Sequence, residues 1–170
     1  TRIKCNPAIK AASDRAALVK AVNEGRIDVI ATDHAPHTSS DKKQSYFKAP
    51  AGLPLVQHAL LVLFDLADRG EISHELIVDR ACHAPADLFG VQERGYVREG
   101  WYADLVIVDP EKPFRVEKSN LLCKCHWSPF EDHEFSSTID TTIVNGEIVY
   151  HDGELTRNIA GQRLEFNRAR

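Results

Sequence analysis

The 170-residue chain contains no methionine, not even at its start, and its first residues, Thr1-Arg2-Ile3-Lys4-Cys5-Asn6, have no signal-peptide layout. A start inside a longer open reading frame accounts for this better than composition bias, so a piece of something larger is expected. Length alone also allows one ordinary domain. No apolar run approaches the roughly eighteen residues of a membrane span, so no membrane partner is expected. Nor is there a basic excess. With 21 Lys and Arg against 25 Asp and Glu, the formal net charge is -4, which gives no footprint for nucleic acid. The cysteines, Cys5, Cys82, Cys123 and Cys125, are too scattered for a secreted disulfide framework, so a cytoplasmic location is expected. Cys123-Lys124-Cys125-His126 would put both thiols on one face of a strand. No second Cys/His pair matches it, so a structural role is preferred to a soft metal site. What remains is 43% hydrophobic and 27% charged, the composition of a globular protein.

The patterning is that of an α/β protein. Residues 13–25 read as a helix, with Ser13 as N-cap, Gly25 as the glycine after its end, and a stripe of Ala17, Leu18, Ala21 and Val22. Ile27-Asp28-Val29-Ile30-Ala31 reads as a buried parallel strand. Residues 32–53 are aperiodic and long for a loop; Lys42, Lys43 and Lys48 give the Thr38–Ala49 stretch a polar, mobile character. A helix is expected from Pro54 to about Arg69, apolar nearly all round and therefore in need of cover. Ser73 caps another through about Ala81, and Pro85–Phe89 form a short turn closed by Gly90. Beyond it, strands are expected at 103–108, 141–144 and 147–150. Asn145-Gly146 is a strong hairpin signal, and a polar tail runs from Glu154 to Arg170.

The chemistry concentrates in Ala31-Thr32-Asp33-His34-Ala35-Pro36-His37, one carboxylate and two imidazoles directly after a buried strand. In α/β sheets and barrels the C-terminal ends of strands are where sites are built. A carboxylate there can ligate a divalent metal and take a proton from metal-bound water.

Asp33-His34-Ala35-Pro36-His37 resembles the motif that follows strand eight in dihydroorotases of the metal-dependent amidohydrolase superfamily. Further segments agree in order and spacing. Cys5-Asn6-Pro7 resembles the family's Asn-Pro after strand seven, and Ala49-Pro50-Ala51-Gly52-Leu53 the loop whose backbone meets the substrate. Gly95 to Gly100 with Ala103-Asp104-Leu105-Val106 resembles the return into the flanking β domain. Trp127-Ser128-Pro129-Phe130 and Val144-Asn145-Gly146 also fit.

The resemblance implies the C-terminal part of a (β/α)₈ barrel plus part of a small flanking β-sandwich. Residues 1–90 would be the last barrel strands and helices, and 91–170 part of the sandwich and the C-terminal tail. It implies that Asp33 ligates zinc and serves as general base, and that Asn6, His37 and the backbone at Ala51 and Gly52 bind substrate. The reaction implied is reversible hydrolysis of dihydroorotate to N-carbamoyl-aspartate, a step of pyrimidine synthesis, with two zinc ions per complete active site. The family's His-x-His, carboxylated lysine and two later metal-binding histidines lie upstream, and no His-x-His occurs among the eight histidines here. The chain alone is therefore expected to be inactive and to need the remainder of the barrel. Homodimer formation and association with a transcarbamoylase both stay open. The alternatives are a related hydantoinase or allantoinase, or a catalytically silent assembly subunit. His37 favours dihydroorotase over the former; Asp33, Asn6 and His37 together argue against the latter. His58, in the apolar helix, is read as a packing or rim residue.

Overall fold

The computed structural model describes residues 1–156 and 161–167. Helix α1 (Ala12–Asn23) keeps its expected place with different chemistry at its start: Ala11 is the N-cap, and the Asp14 carboxylate accepts the Ala11 N–H at 2.9 Å. Its C-terminus is a Schellman turn. Gly25 takes φ 70°, donating to the Val22 carbonyl, while Arg26 donates to that of Ala21. Of the expected apolar stripe, Ala21 and Val22 are half-buried and Ala17 and Leu18 are exposed. Val19 packs on the interior, whereas Leu18 is 58% exposed.

Ile27–Ala31 does not form a strand. Among the described residues no neighbouring strand completes a ladder with it, and the Ile30 N–H bonds the Arg80 carbonyl at 3.0 Å instead. The long loop holds a one-turn helix, α2 (Ser39–Lys42), capped by Thr38. The helix expected from Pro54 begins as a 3₁₀ turn, Val56–His58, and continues as α3 (Ala59–Asp68). Ser73 caps α4 (His74–Val78), its hydroxyl accepting the Leu76 N–H at 3.1 Å. No break follows. A π turn over Asp79–His83, closed by the Ala84 N–H on the Asp79 carbonyl, leads straight into α5 (Ala84–Phe89), with Pro85 in the first turn of α5.

Strands β1 (Leu105–Asp109), β4 (Thr138–Val144), β5 (Glu147–His151) and β6 (Glu154–Leu155) form an antiparallel sheet in the order β1-β4-β5-β6. Strands β2 (Phe114–Arg115) and β3 (Glu134–Phe135) make a second, small ladder. Asn145 and Gly146 turn β4 into β5 at φ 50° and 84°, the left-handed pair a two-residue hairpin demands. Cys123 to Cys125 lie in a turn rather than a strand, with their sulfurs 3.2 Å apart. The expected polar tail lies partly outside the described residues. Of its described part, Glu154–Leu155 extends the sheet, and Gln92 N–H and Asn167 N–H make backbone bonds that dock residues 165–167 beside Gly90.

Helix α3 joins two apolar clusters. Leu61 packs with Val116, Leu121 and Phe135, and Leu63 with Ile72 and Ile77. Each such side chain contributes roughly 1.5–3 kcal/mol on burial. A third flank of α3 opens into a cavity of about 450 Å³ lined by Val56, Leu60, Val106, Phe114 and Ile139, so the helix is covered in part only. Asp65 ties the helix to the strands, accepting the Ser136 N–H and hydroxyl, both at 3.1 Å, and facing His133 Nε2 at 3.1 Å. Burial pushes its carboxyl upward, but the bonds from Ser136 and His133 outweigh this and leave it below the ordinary value.

His58 sits beneath α3, 1% exposed, its ring stacked on Phe135 with centroids 5.9 Å apart. Burial depresses its pKa to about 4. The unfolded imidazole takes a proton near pH 6.5 that the folded ring refuses until about pH 4. Stability from the neutral ring is therefore fully present above pH 6.5 and lost as pH falls through this window, by about 3 kcal/mol in all. Melting temperatures of the full-length polypeptide should fall less steeply between pH 7 and 4.5 in His58→Gln than in wild type. Parallel curves would refute the assignment.

Candidate functional site

The segment carrying Asp33, His34 and His37 runs alongside the Ala51–Leu53 segment, with His34 paired in parallel to Leu53 and the Ala35 N–H bonded to the Leu53 carbonyl at 3.0 Å. His34 Nδ1 accepts the N–H groups of Leu55 (3.0 Å) and Val56 (3.1 Å). It thus serves the otherwise unpaired amides at the start of the 3₁₀–α3 helix. His37 Nε2 lies 2.9 Å from the Ala51 carbonyl; a carbonyl only accepts, so Nε2 carries the hydrogen there. That leaves Nδ1 as the ring nitrogen available to a ligand. The backbone of His37 is fixed from the strand-rich half of the chain, where buried Trp127 donates its indole N–H to the His37 carbonyl at 2.8 Å.

Gly52 was expected to admit a ligand; the structure shows a nearer reason for glycine. At φ 133°, an added Cβ would stand 2.5 Å from the Ala35 carbonyl oxygen and 3.1 Å from the His37 ring. The neighbour that excludes a side chain is the motif itself. The Gly52 N–H bonds the Lys4 carbonyl at 3.0 Å, which anchors the segment two residues before Asn6. Asn6 itself is exposed.

Beneath this junction lies Lys42, 1% exposed, where a mobile, solvated loop lysine was expected. Its ammonium donates to the carbonyls of Lys4 (2.8 Å), Pro50 (2.9 Å) and Gly52 (2.9 Å). Burial, and then the nearby Lys4 charge, lower its pKa. Thr38-Ser39-Ser40-Asp41 has capping-box spacing and marks the turn before Lys42, Thr38 accepting the Asp41 N–H at 3.2 Å, but nothing in it marks the burial of the lysine. The charge count hid it.

Asp33 stands at the edge of this assembly, exposed and at φ 46°, a left-handed conformation Asp tolerates better than most residues. Among the described residues its carboxylate has no hydrogen-bond partner. It suits one metal-ligand position, but no group of three His, Cys, Asp or Glu that could hold a metal occurs among the described residues. His34 Nδ1 and His37 Nε2 are turned to backbone. These residues do not by themselves make a zinc site, which takes about three protein ligands.

The amidohydrolase family model matches residues 5–149. The chain is 38% identical over 161 residues to a dihydroorotase of Halobacterium salinarum, covering 95% of this chain and 38% of that protein. To the dihydroorotase of Clostridium acetobutylicum it is 37% identical over 153 residues, covering 89% and 36%. Among solved structures it is similar to L-hydantoinase (dihydropyrimidinase) from Arthrobacter aurescens, with TM-score 0.85 and 28% identity over 91% of this chain and 36% of that one. The chain thus spans little more than a third of the relatives it matches.

Two outcomes are expected. Gly52→Ala, made in the full-length polypeptide, should destabilise it by about 1–3 kcal/mol through the clash with the Ala35 carbonyl; an unchanged melting temperature would contradict the packing described. Residues 1–170 purified alone should retain no zinc after dialysis, as read by atomic emission. Stoichiometric zinc would show that one carboxylate and its neighbours suffice.

Proposed function

Because this chain belongs to the amidohydrolase family, we propose that it is the C-terminal segment of a dihydroorotase, hydrolysing the cyclic amide of dihydroorotate reversibly to N-carbamoyl-aspartate. The observation that carries this reading is the 37–38% identity to dihydroorotases over about nine-tenths of the chain. Residues 1–90 then belong to the barrel, and 91–170 to the flanking β-sandwich and tail. The pathway is pyrimidine synthesis, and the compartment the cytoplasm. The hydantoinase likeness supports a second reading, in which the same machinery acts on hydantoins or dihydropyrimidines.

In this reading Asp33 is the general base. Its unpaired carboxylate takes the proton from the attacking water and returns it to the leaving ring nitrogen. His37, with Nε2 committed to the Ala51 carbonyl, offers Nδ1 to the substrate. The Ala51–Gly52 backbone has its carbonyls and the Gly52 N–H engaged with His37, Lys42 and Lys4, so the Ala51 N–H is the donor left for a substrate oxygen. Asn6, exposed beside the anchored Lys4, completes the substrate contacts. Zinc would supply an acidified water and a polarised amide carbonyl, with Asp33 as one ligand and the others from outside this chain.

The full-length enzyme is expected to turn over dihydroorotate in preference to hydantoin and dihydropyrimidine; the reverse order would favour the second reading. Asp33→Asn is nearly isosteric yet removes the proton acceptor, so kcat should drop at least about 10²-fold. His37→Ala should raise KM while leaving kcat near wild type, the mark of binding shared by ground and transition states. A near-normal kcat in Asp33→Asn would overturn the assignment of the base.

A further inference from the structure

We propose that Lys42 is a positioning residue for substrate: its buried ammonium clamps the carbonyls on both sides of Ala51 and so aims the Ala51 N–H and the His37 ring. The inference rests on the functional reading above, in which those two groups meet the substrate. Three acceptors at 2.8–2.9 Å need three donors, and only the protonated amine has them. Pro50 and Gly52 flank Ala51 directly, and the third acceptor, Lys4, also receives the Gly52 N–H. The Ala51 peptide is therefore held at either end, with its own carbonyl taken by His37.

The clamp is more than filling. No carboxylate pairs with Lys42 among the described ion pairs, and the second cation nearby, Lys4, is likewise spent on carbonyls, those of Tyr46 and Ala49, both at 2.7 Å. A buried charge without a counter-charge is expensive, and an apolar side chain of like volume would fill the space without that penalty. What the ammonium adds is direction. It fixes three carbonyls from two separate segments in one geometry, and a misplacement of about 1 Å at a binding group costs up to about 10²-fold in kcat/KM.

The test uses the full-length enzyme with Lys42→Met, which keeps the stem and removes the donors, and Lys42→Gln, which keeps two N–H donors. For Lys42→Met, KM for dihydroorotate should rise about 10- to 100-fold with kcat little changed, and Lys42→Gln should fall between it and wild type. In ¹⁵N-histidine spectra the His37 ring should lose the signature of a hydrogen-bonded Nε2–H. A lowered melting temperature with unchanged KM would make the tie purely structural and overturn the proposal, as would failure of both variants to fold. If the wild-type enzyme turns over no dihydroorotate, it is the functional reading that fails. The His37 resonance then decides for Lys42 alone: displaced in Lys42→Met it supports the clamp, unmoved it refutes it.

Discussion

A single buried ammonium holds the candidate site together. Removing a lysine charge from water costs several kcal/mol, and no acid among the described residues pairs with it. What does offset it is a full set of charge-assisted hydrogen bonds, each worth about 1.5–3 kcal/mol. Because those bonds reach Lys4, Pro50 and Gly52, they draw the Asn6 segment and the Ala51–Gly52 segment onto one point. The rest follows from that junction. Gly52 lies against Ala35 and His37 so closely that no Cβ fits, and His37 in turn takes the Ala51 carbonyl.

Helix α3 carries the support from the other direction. His34 satisfies the amides ahead of it, so the motif that holds Asp33 also begins the helix. The far end of α3 is tied to the strand-rich half through Asp65, and its start through Gln57, whose side chain bonds Asn120 and Leu122 backbone at 2.7 and 2.9 Å. Trp127 closes the circuit by reaching back to the His37 carbonyl. The loops between the strands thus fix the helix and the histidine of the candidate site. The Leu61 cluster, shared between helix α3 and the strand-rich half, packs the same two parts together.

How legible the molecule was depended on the range of the interaction. Ser73, Gly25 and Asn145-Gly146 did what their neighbours dictate, because caps and tight turns are decided within a few residues. The same locality made Asp33 and His37 recognisable as a group. Where a partner at a distance was required, the reading failed. Ile27–Ala31 has the composition of a strand and, among the described residues, no ladder to join; Leu18 belongs to an apolar stripe and points outward, since α1 has cover along one edge alone. Pro85 marked a break, but a π turn leads straight into the helix that holds it.

The sequence by itself therefore determined the family, the class of fold, the hairpin and the approximate place of the longer helices, and it marked Asp33, Asn6 and His37 as candidates for the site. The tertiary structure alone decided their employment. It gave His34, to which the sequence assigned no role, the amides that open the helix, oriented His37 through Ala51, and took Lys42 from a polar loop into the interior. The physical reason is distance along the chain. Lys42 meets Lys4 across 38 residues, and Trp127 meets His37 across 90. Such bonds leave no periodic or neighbouring mark in the sequence; they arise only when packing of the apolar faces has brought the segments together.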